Sequence, residues 1–106
     1  MTSAVRQLKR KAAKRPSQRT VSVILDGEFA GWEATARADW PARWMEDLDP
    51  EDVPRFMSFL DRIILSHNMP NADDEIADSM MDVDPYEGVV RMGEAIIDAI
   101  GKLPKR

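Results

Sequence analysis

The side chains best suited to chemistry are scarce in this chain of 106 residues, which has one histidine and no cysteine. The missing cysteines remove disulfide frameworks, thiolate zinc sites, iron–sulfur clusters and cysteine nucleophiles together. His67 is the one imidazole. As a general base it would need a serine or another nucleophile placed beside it, and as a metal ligand it would need companions. The sequence offers neither in a recognisable spacing. The plainer reading is a polar residue at the edge of a core, or a cation near a helix C-terminus.

Carboxylates are plentiful. Asp73, Asp74, Glu75, Asp78, Asp82, Asp84 and Glu87 form an acidic run that invites a calcium reading. A calcium loop of the helix–loop–helix kind needs glycine at its sixth position and glutamate at its twelfth. Counted from Asp82, the sixth residue is Glu87, Gly88 comes one place late, and Pro85 stiffens the loop. The motif is rejected in favour of a solvated acidic face. Nineteen Asp and Glu residues also make close carboxylate pairs inevitable, so such pairs carry no acid–base signal. The five glycines are scattered and form no phosphate loop or dinucleotide fingerprint. No catalytic residue, metal or cofactor is therefore expected, and the chain is read as non-enzymatic.

Two features point to partners instead. Trp32, Trp40 and Trp44 fall within thirteen residues. They are candidate partner-binding residues, because exposed tryptophans are strong interface anchors, or else they are the junction of two packed elements. The second feature is charge asymmetry. Residues 1–19 carry +7 with no acid, residues 20–100 carry −14, and residues 102–106 carry +3. The chain reads as an acidic body with a basic arm at each end. Lys9, Arg10, Lys11, Lys14 and Arg15 are candidate electrostatic contacts. They would bind nucleic-acid phosphates, or else form a tail that keeps the chain soluble or docks on an acidic partner such as a neighbouring copy. Interleaved aromatics are missing from the arm and the acidic body would repel a phosphate backbone, which favours the second use.

The elements that must position these residues follow from periodicity. Residues 1–19 hold few apolar side chains and are read as a flexible or conditionally helical arm. Residues 20–101 form one compact domain, with 102–106 as a basic tail. Thr20 to Leu25 is rich in β-branched residues, Asp26-Gly27 is a turn dipeptide, and Trp32 to Ala38 alternates. Together these predict a β-hairpin. Trp40, Trp44, Met45 and Leu48 predict a short helix after Pro41. Val53, Phe56, Met57, Leu60, Ile63, Ile64 and His67 follow the spacing of a buried helical stripe. Ile76, Met80 and Met81 suggest a further short helix. Tyr86, Val89, Val90, Gly93, Ile96, Ile97 and Ile100 make a second full stripe, with Asp84-Pro85 at its start and Gly101 as a C-cap. The expected fold class is α+β, mainly α: a basic arm, one hairpin, then three to four helices. Two strands alone are marginal, so the hairpin must pack on the helices or pair with another copy. No apolar run approaches the roughly 20 residues needed to span a bilayer, and no hydrophobic stretch follows the basic N-terminus to make a signal peptide.

The segment Val23-Ile24-Leu25-Asp26-Gly27-Glu28-Phe29-Ala30-Gly31-Trp32 resembles the small tail assembly chaperones of long-tailed (siphovirus-type) actinobacteriophages. So does the ending, Asp84-Pro85-Tyr86-Glu87-Gly88, an apolar helix, then Gly101-Lys102-Leu103-Pro104. The resemblance spans residues 20–106 and leaves out the basic arm. It implies a transient factor that binds the phage tape measure protein in the cytoplasm of the bacterial host, assists tail tube polymerisation and is absent from the mature virion. It also implies contact with the tail tube protein through a longer form made by ribosomal frameshifting, for which Gly101-Lys102 sits where a slippery site would be placed. The runner-up is a small regulatory protein that binds nucleic acid through its basic arm.

Overall fold

The computed structural model describes residues 12–105. Lys9, Arg10 and Lys11, and with them residues 1–11 of the arm read as flexible or conditionally helical, lie outside them. Residues 12–19 are exposed coil, apart from a half-buried Arg19, and lead directly into the first strand.

Strand β1, Thr20–Ile24, pairs antiparallel with β2, Glu33–Arg37. Val21, Ala34 and Ala36 point into the core, while Ser22 and Thr35 meet on the open face with their hydroxyl oxygens 2.9 Å apart. The connection between the strands needs left-handed backbone at Gly27 (φ 67°) and Gly31 (φ 88°), which glycine adopts without steric cost.

The expectation of a mainly helical protein with one hairpin is overturned. The sheet has three antiparallel strands in the order β1-β2-β3, the third being Ile64–His67. Helices of all kinds take about 41% of the described residues and strands about 19%. Only two α-helices are present among those residues, α1 at Val53–Ile63 and α2 at Tyr86–Gly101.

The physical reasons lie in the places where the reading departs from the structure. The helix expected to run to His67 stops at Ile63, and the next residue already belongs to β3. Its stripe continued in sequence, but a hairpin leaves the outer side of β2 with unpaired backbone groups. Ile64 to His67 satisfies them by pairing with residues 34–36, with a bulge between Thr35 and Ala36. The β-branched pair Ile63-Ile64 also weakens helix continuation.

The short helix expected around Trp40–Leu48 is a 3-10 turn, Ala42–Asp47. The helix expected over 72–84 is absent except for a 3-10 turn at Met80–Asp82. Asn71 is the cause there. Its side-chain oxygen accepts from the backbone N–H of Asp73 and Glu75 at 2.9 and 3.0 Å, closing a tight turn in which Asp74 is left-handed (φ 61°). The C-cap reading of Gly101 also fails, because Gly101 is the last helical residue and its backbone is not left-handed. Pro54, by contrast, fits in the first turn of α1, where its missing N–H costs nothing, and Asp52 caps the helix by accepting from Arg55 N–H at 3.3 Å.

The core lies between one face of the sheet and the two helices. Phe56, Phe59, Leu60 and Ile63 of α1 and Val89, Met92 and Ile96 of α2 are fully or almost fully buried, joined by Met69 and Met80 from the loop between β3 and α2. Leu103, beyond the expected domain end, also packs on this cluster. No helix among the described residues is long and apolar enough to cross a membrane.

Candidate functional site

The three tryptophans separate into two environments. Trp32 follows the turn before β2 and packs on α2. A Cβ placed on Gly88 would lie 1.9 Å from its ring, so the indole occupies the space this glycine leaves. Phe29 lies 4.8 Å away ring to ring, and the guanidinium of Arg91 sits 5.5 Å from the Phe29 ring. Trp32 is thus a packing residue that joins the hairpin turn to α2.

Trp40 and Trp44 lie on the other side, where the chain leaves β2 and crosses to α1. Trp40 meets buried Phe59 edge to face, with ring centroids 5.0 Å apart. Its indole N–H points outward and donates to the Met45 sulfur at 2.8 Å. Trp44 rides on the 3-10 turn, none of whose residues is buried. It is held by two guanidiniums, Arg37 of β2 at 5.0 Å and Arg62 of α1 at 5.7 Å from its ring. Asp47 accepts from Arg55 Nε at 3.1 Å and pairs with Arg62 at 3.3 Å, while the Arg37 Nε–H donates to the Asp39 carbonyl at 2.6 Å. Each of these arginines thus has an oxygen partner that helps to fix its position.

A groove of about 410 Å³ adjoins this shelf, lined by Trp40, Pro41, Arg37 and Asp39 together with Arg15, Pro16 and Gln18. Gln18 donates to the Asp39 carboxylate, which draws the end of the arm alongside the tryptophans. The structure thus brings Arg15 and Trp40 to one surface. Lys14 is exposed, with no ion pair to any described residue.

The other candidates resolve more simply. His67 lies at the end of β3, not of a helix, and its Nδ1 accepts from the Met69 N–H at 3.0 Å, which ties the following loop to the strand. The seven carboxylates of the acidic run are all exposed. No group of three His, Asp or Glu residues among the described residues is placed to hold a metal ion. A shallow cleft on the open face of the sheet is lined mainly by small hydroxyl side chains with Ile24, Glu33 and His67, and no nucleophile–base pair occurs there.

The sequence reading grouped Met45 with Trp40 and Trp44 but missed Arg37 and Arg62 as members of the tryptophan shelf. Arg62 sits on the polar side of α1 and Arg37 on the open side of β2, so neither belongs to an apolar pattern. Only the crossing of the chain over α1 puts them against Trp44. No family model, curated protein or solved structure matches the chain.

Proposed function

We propose that this chain is a non-enzymatic binding protein, a tail assembly chaperone of the siphovirus type, which binds the tape measure protein in the bacterial cytoplasm and assists tail tube polymerisation around it. The sequence resemblance over residues 20–106 supplies the biological setting, including the tail tube contact through a longer frameshifted form. The observation that carries the binding role is the shelf itself: Trp44, half-buried against the rim of the core and held by Arg37 and Arg62, beside a half-exposed Met45. Tryptophan and arginine dominate interface hot spots, and methionine adapts to irregular apolar partners. An amphipathic helix, the form in which a long helical partner would present itself, offers the matching apolar stripe. The same shelf fits nucleic acid poorly, because Asp39 and Asp47 already satisfy its arginines.

The test separates binding from packing. Trp44→Ala is expected to weaken capture of a co-expressed tape measure segment by about tenfold or more, as for an interface anchor, while leaving the thermal midpoint within a few degrees. Trp40→Ala, which removes the edge contact to Phe59, is expected to cost stability of about 3 kcal/mol. If Trp44→Ala binds the segment as wild type does, the shelf is not the binding surface. A salt-sensitive shift of DNA in place of capture would move the chain to the nucleic-acid reading.

A further inference from the structure

The two edges of the sheet are unequal. At the β3 edge the strand is four residues long, emerges directly from α1, pairs through a bulge and runs into Pro70. These are the devices by which sheets discourage further pairing. The β1 edge has none of them. Thr20-Val21-Ser22-Val23-Ile24 carries no charge and no proline, and its ladder with β2 is unbroken by any bulge. Hydrogen bonds from Ala38 N–H to Arg19 carbonyl and from Leu25 N–H to Trp32 carbonyl, both 2.8 Å, set the alternation along the strand. By that alternation Val21 and Val23 bond to β2, and the backbone groups of Thr20, Ser22 and Ile24 face outward. All three residues are exposed, Ile24 by 71%. The chain N-terminal to β1 does not cover this edge within the described residues. Arg15, Pro16 and Gln18 turn instead toward Asp39 and Trp40, on the β2 side.

We infer that the β1 edge pairs with β1 of a second copy of this chain, antiparallel about a two-fold axis at Ser22, to make one continuous six-stranded sheet. The register is self-complementary. With Ser22 opposite Ser22 and Thr20 opposite Ile24, every outward-facing backbone group of the strand meets a partner, and Val21 lies across from Val23. Charge favours the same direction. The residue leading into β1, Arg19, is basic, and the turn after the strand is acidic at Asp26 and Glu28. Antiparallel pairing sets each basic lead beside the other copy's acidic turn, whereas parallel pairing would set like charges together. The tryptophan shelf stays free, because it lies beyond β2, so this dimer is independent of the proposed function and would present two shelves at once.

Sedimentation equilibrium on the full chain tests the inference. Wild type is expected to shift from its monomer mass of 12.0 kDa to twice that mass as concentration rises. Ser22→Lys sets two like charges directly opposite across the axis, and is expected to raise the dimer dissociation constant by about tenfold or more. Thr35→Lys breaks the same Ser22–Thr35 hydroxyl contact and adds the same charge one strand further in, and is expected to dimerise as wild type does. An equimolar mixture of Ser22→Lys and Ser22→Asp chains is expected to recover the dimer that each loses alone. Circular dichroism on every variant establishes that it is folded. A wild type that stays monomeric to millimolar concentration, a dimer untouched by Ser22→Lys, or a mixture that fails to recover would each overturn the inference.

Discussion

Single residues in this protein act mostly through the space they leave. Gly88, Gly93 and Gly101 all belong to α2, where glycine lowers helix stability, yet they differ completely in what surrounds them. Gly88 admits the Trp32 ring, and Gly93 admits the Phe56 ring, 2.5 Å from where a Cβ would stand. Nothing lies within 4 Å of the corresponding point at Gly101. Gly88→Ala is therefore expected to destabilise the fold by about 1–3 kcal/mol, since a rigid indole must shift. Gly101→Ala is expected to stabilise it by up to about 1 kcal/mol through helix propensity. Chemical denaturation of the two variants, with tryptophan emission as the probe, checks both signs. If Gly88→Ala leaves stability and emission unchanged, Trp32 does not depend on that contact. A neutral or favourable Gly101→Ala would also remove any need for glycine at that position in the folded protein.

Among the elements, β3 and the loop after it depend on side chains that replace missing backbone partners. Asn68 follows β3 and extends its pairing. Its amide oxygen accepts from the Glu33 N–H at 2.8 Å, and its amide nitrogen donates to the Gly31 carbonyl at 3.0 Å. Further on, Asp61 on the solvent side of α1 anchors the 3-10 turn at Met80–Asp82. Its carboxylate accepts from the Met80 N–H at 2.8 Å and from the Ser79 hydroxyl at 2.9 Å. This seats Met80 in the core although no regular element precedes it. Asp61→Ala is expected to cost about 1–3 kcal/mol, the range for a charge-assisted bond and an orphaned donor. The cost should be concentrated in the loop. Amide exchange should quicken at residues 77–84 while Phe59 and Leu60 stay protected. Uniform quickening across the chain would mean that the loop and the helices open as one unit.

At the scale of the whole molecule, the basic arm and the acidic body meet at a limited seam. Among the described residues the arm reaches the domain through Gln18 on Asp39 and through the groove beside Trp40. Removal of residues 1–18 is expected to lower stability by about 1 kcal/mol or less, the worth of exposed polar contacts. It should leave the circular dichroism of residues 20–105 intact. A loss of several kcal/mol would show that the arm is part of the core. The same truncation enlarges access to Trp40, so partner capture measured alongside tells whether the arm shields the shelf or contributes to it.

The amino-acid sequence determined by itself those features that depend on local periodicity and chemical type. The absence of thiol chemistry follows from composition. The two apolar stripes that became α1 and α2 repeat every three to four residues, and the alternation around Ala34 and Ala36 is a pattern of period two. None needs knowledge of a distant neighbour. Tertiary structure alone decided the rest. Ile64–His67 continues a helical stripe in sequence and becomes a strand because β2 offers unpaired backbone groups that no local signal records. Asn71 closes a turn where Ile76, Met80 and Met81 lie at helical spacing, because its side-chain oxygen takes two backbone amides that a helix would otherwise engage. The three tryptophans are equivalent in sequence. Contact with Gly88 makes Trp32 a packing residue, contact with Phe59 makes Trp40 a support, and two arginines from separate elements hold Trp44 at the surface. Those assignments are decided by what meets across the fold, and a pattern along the chain carries no information about such meetings.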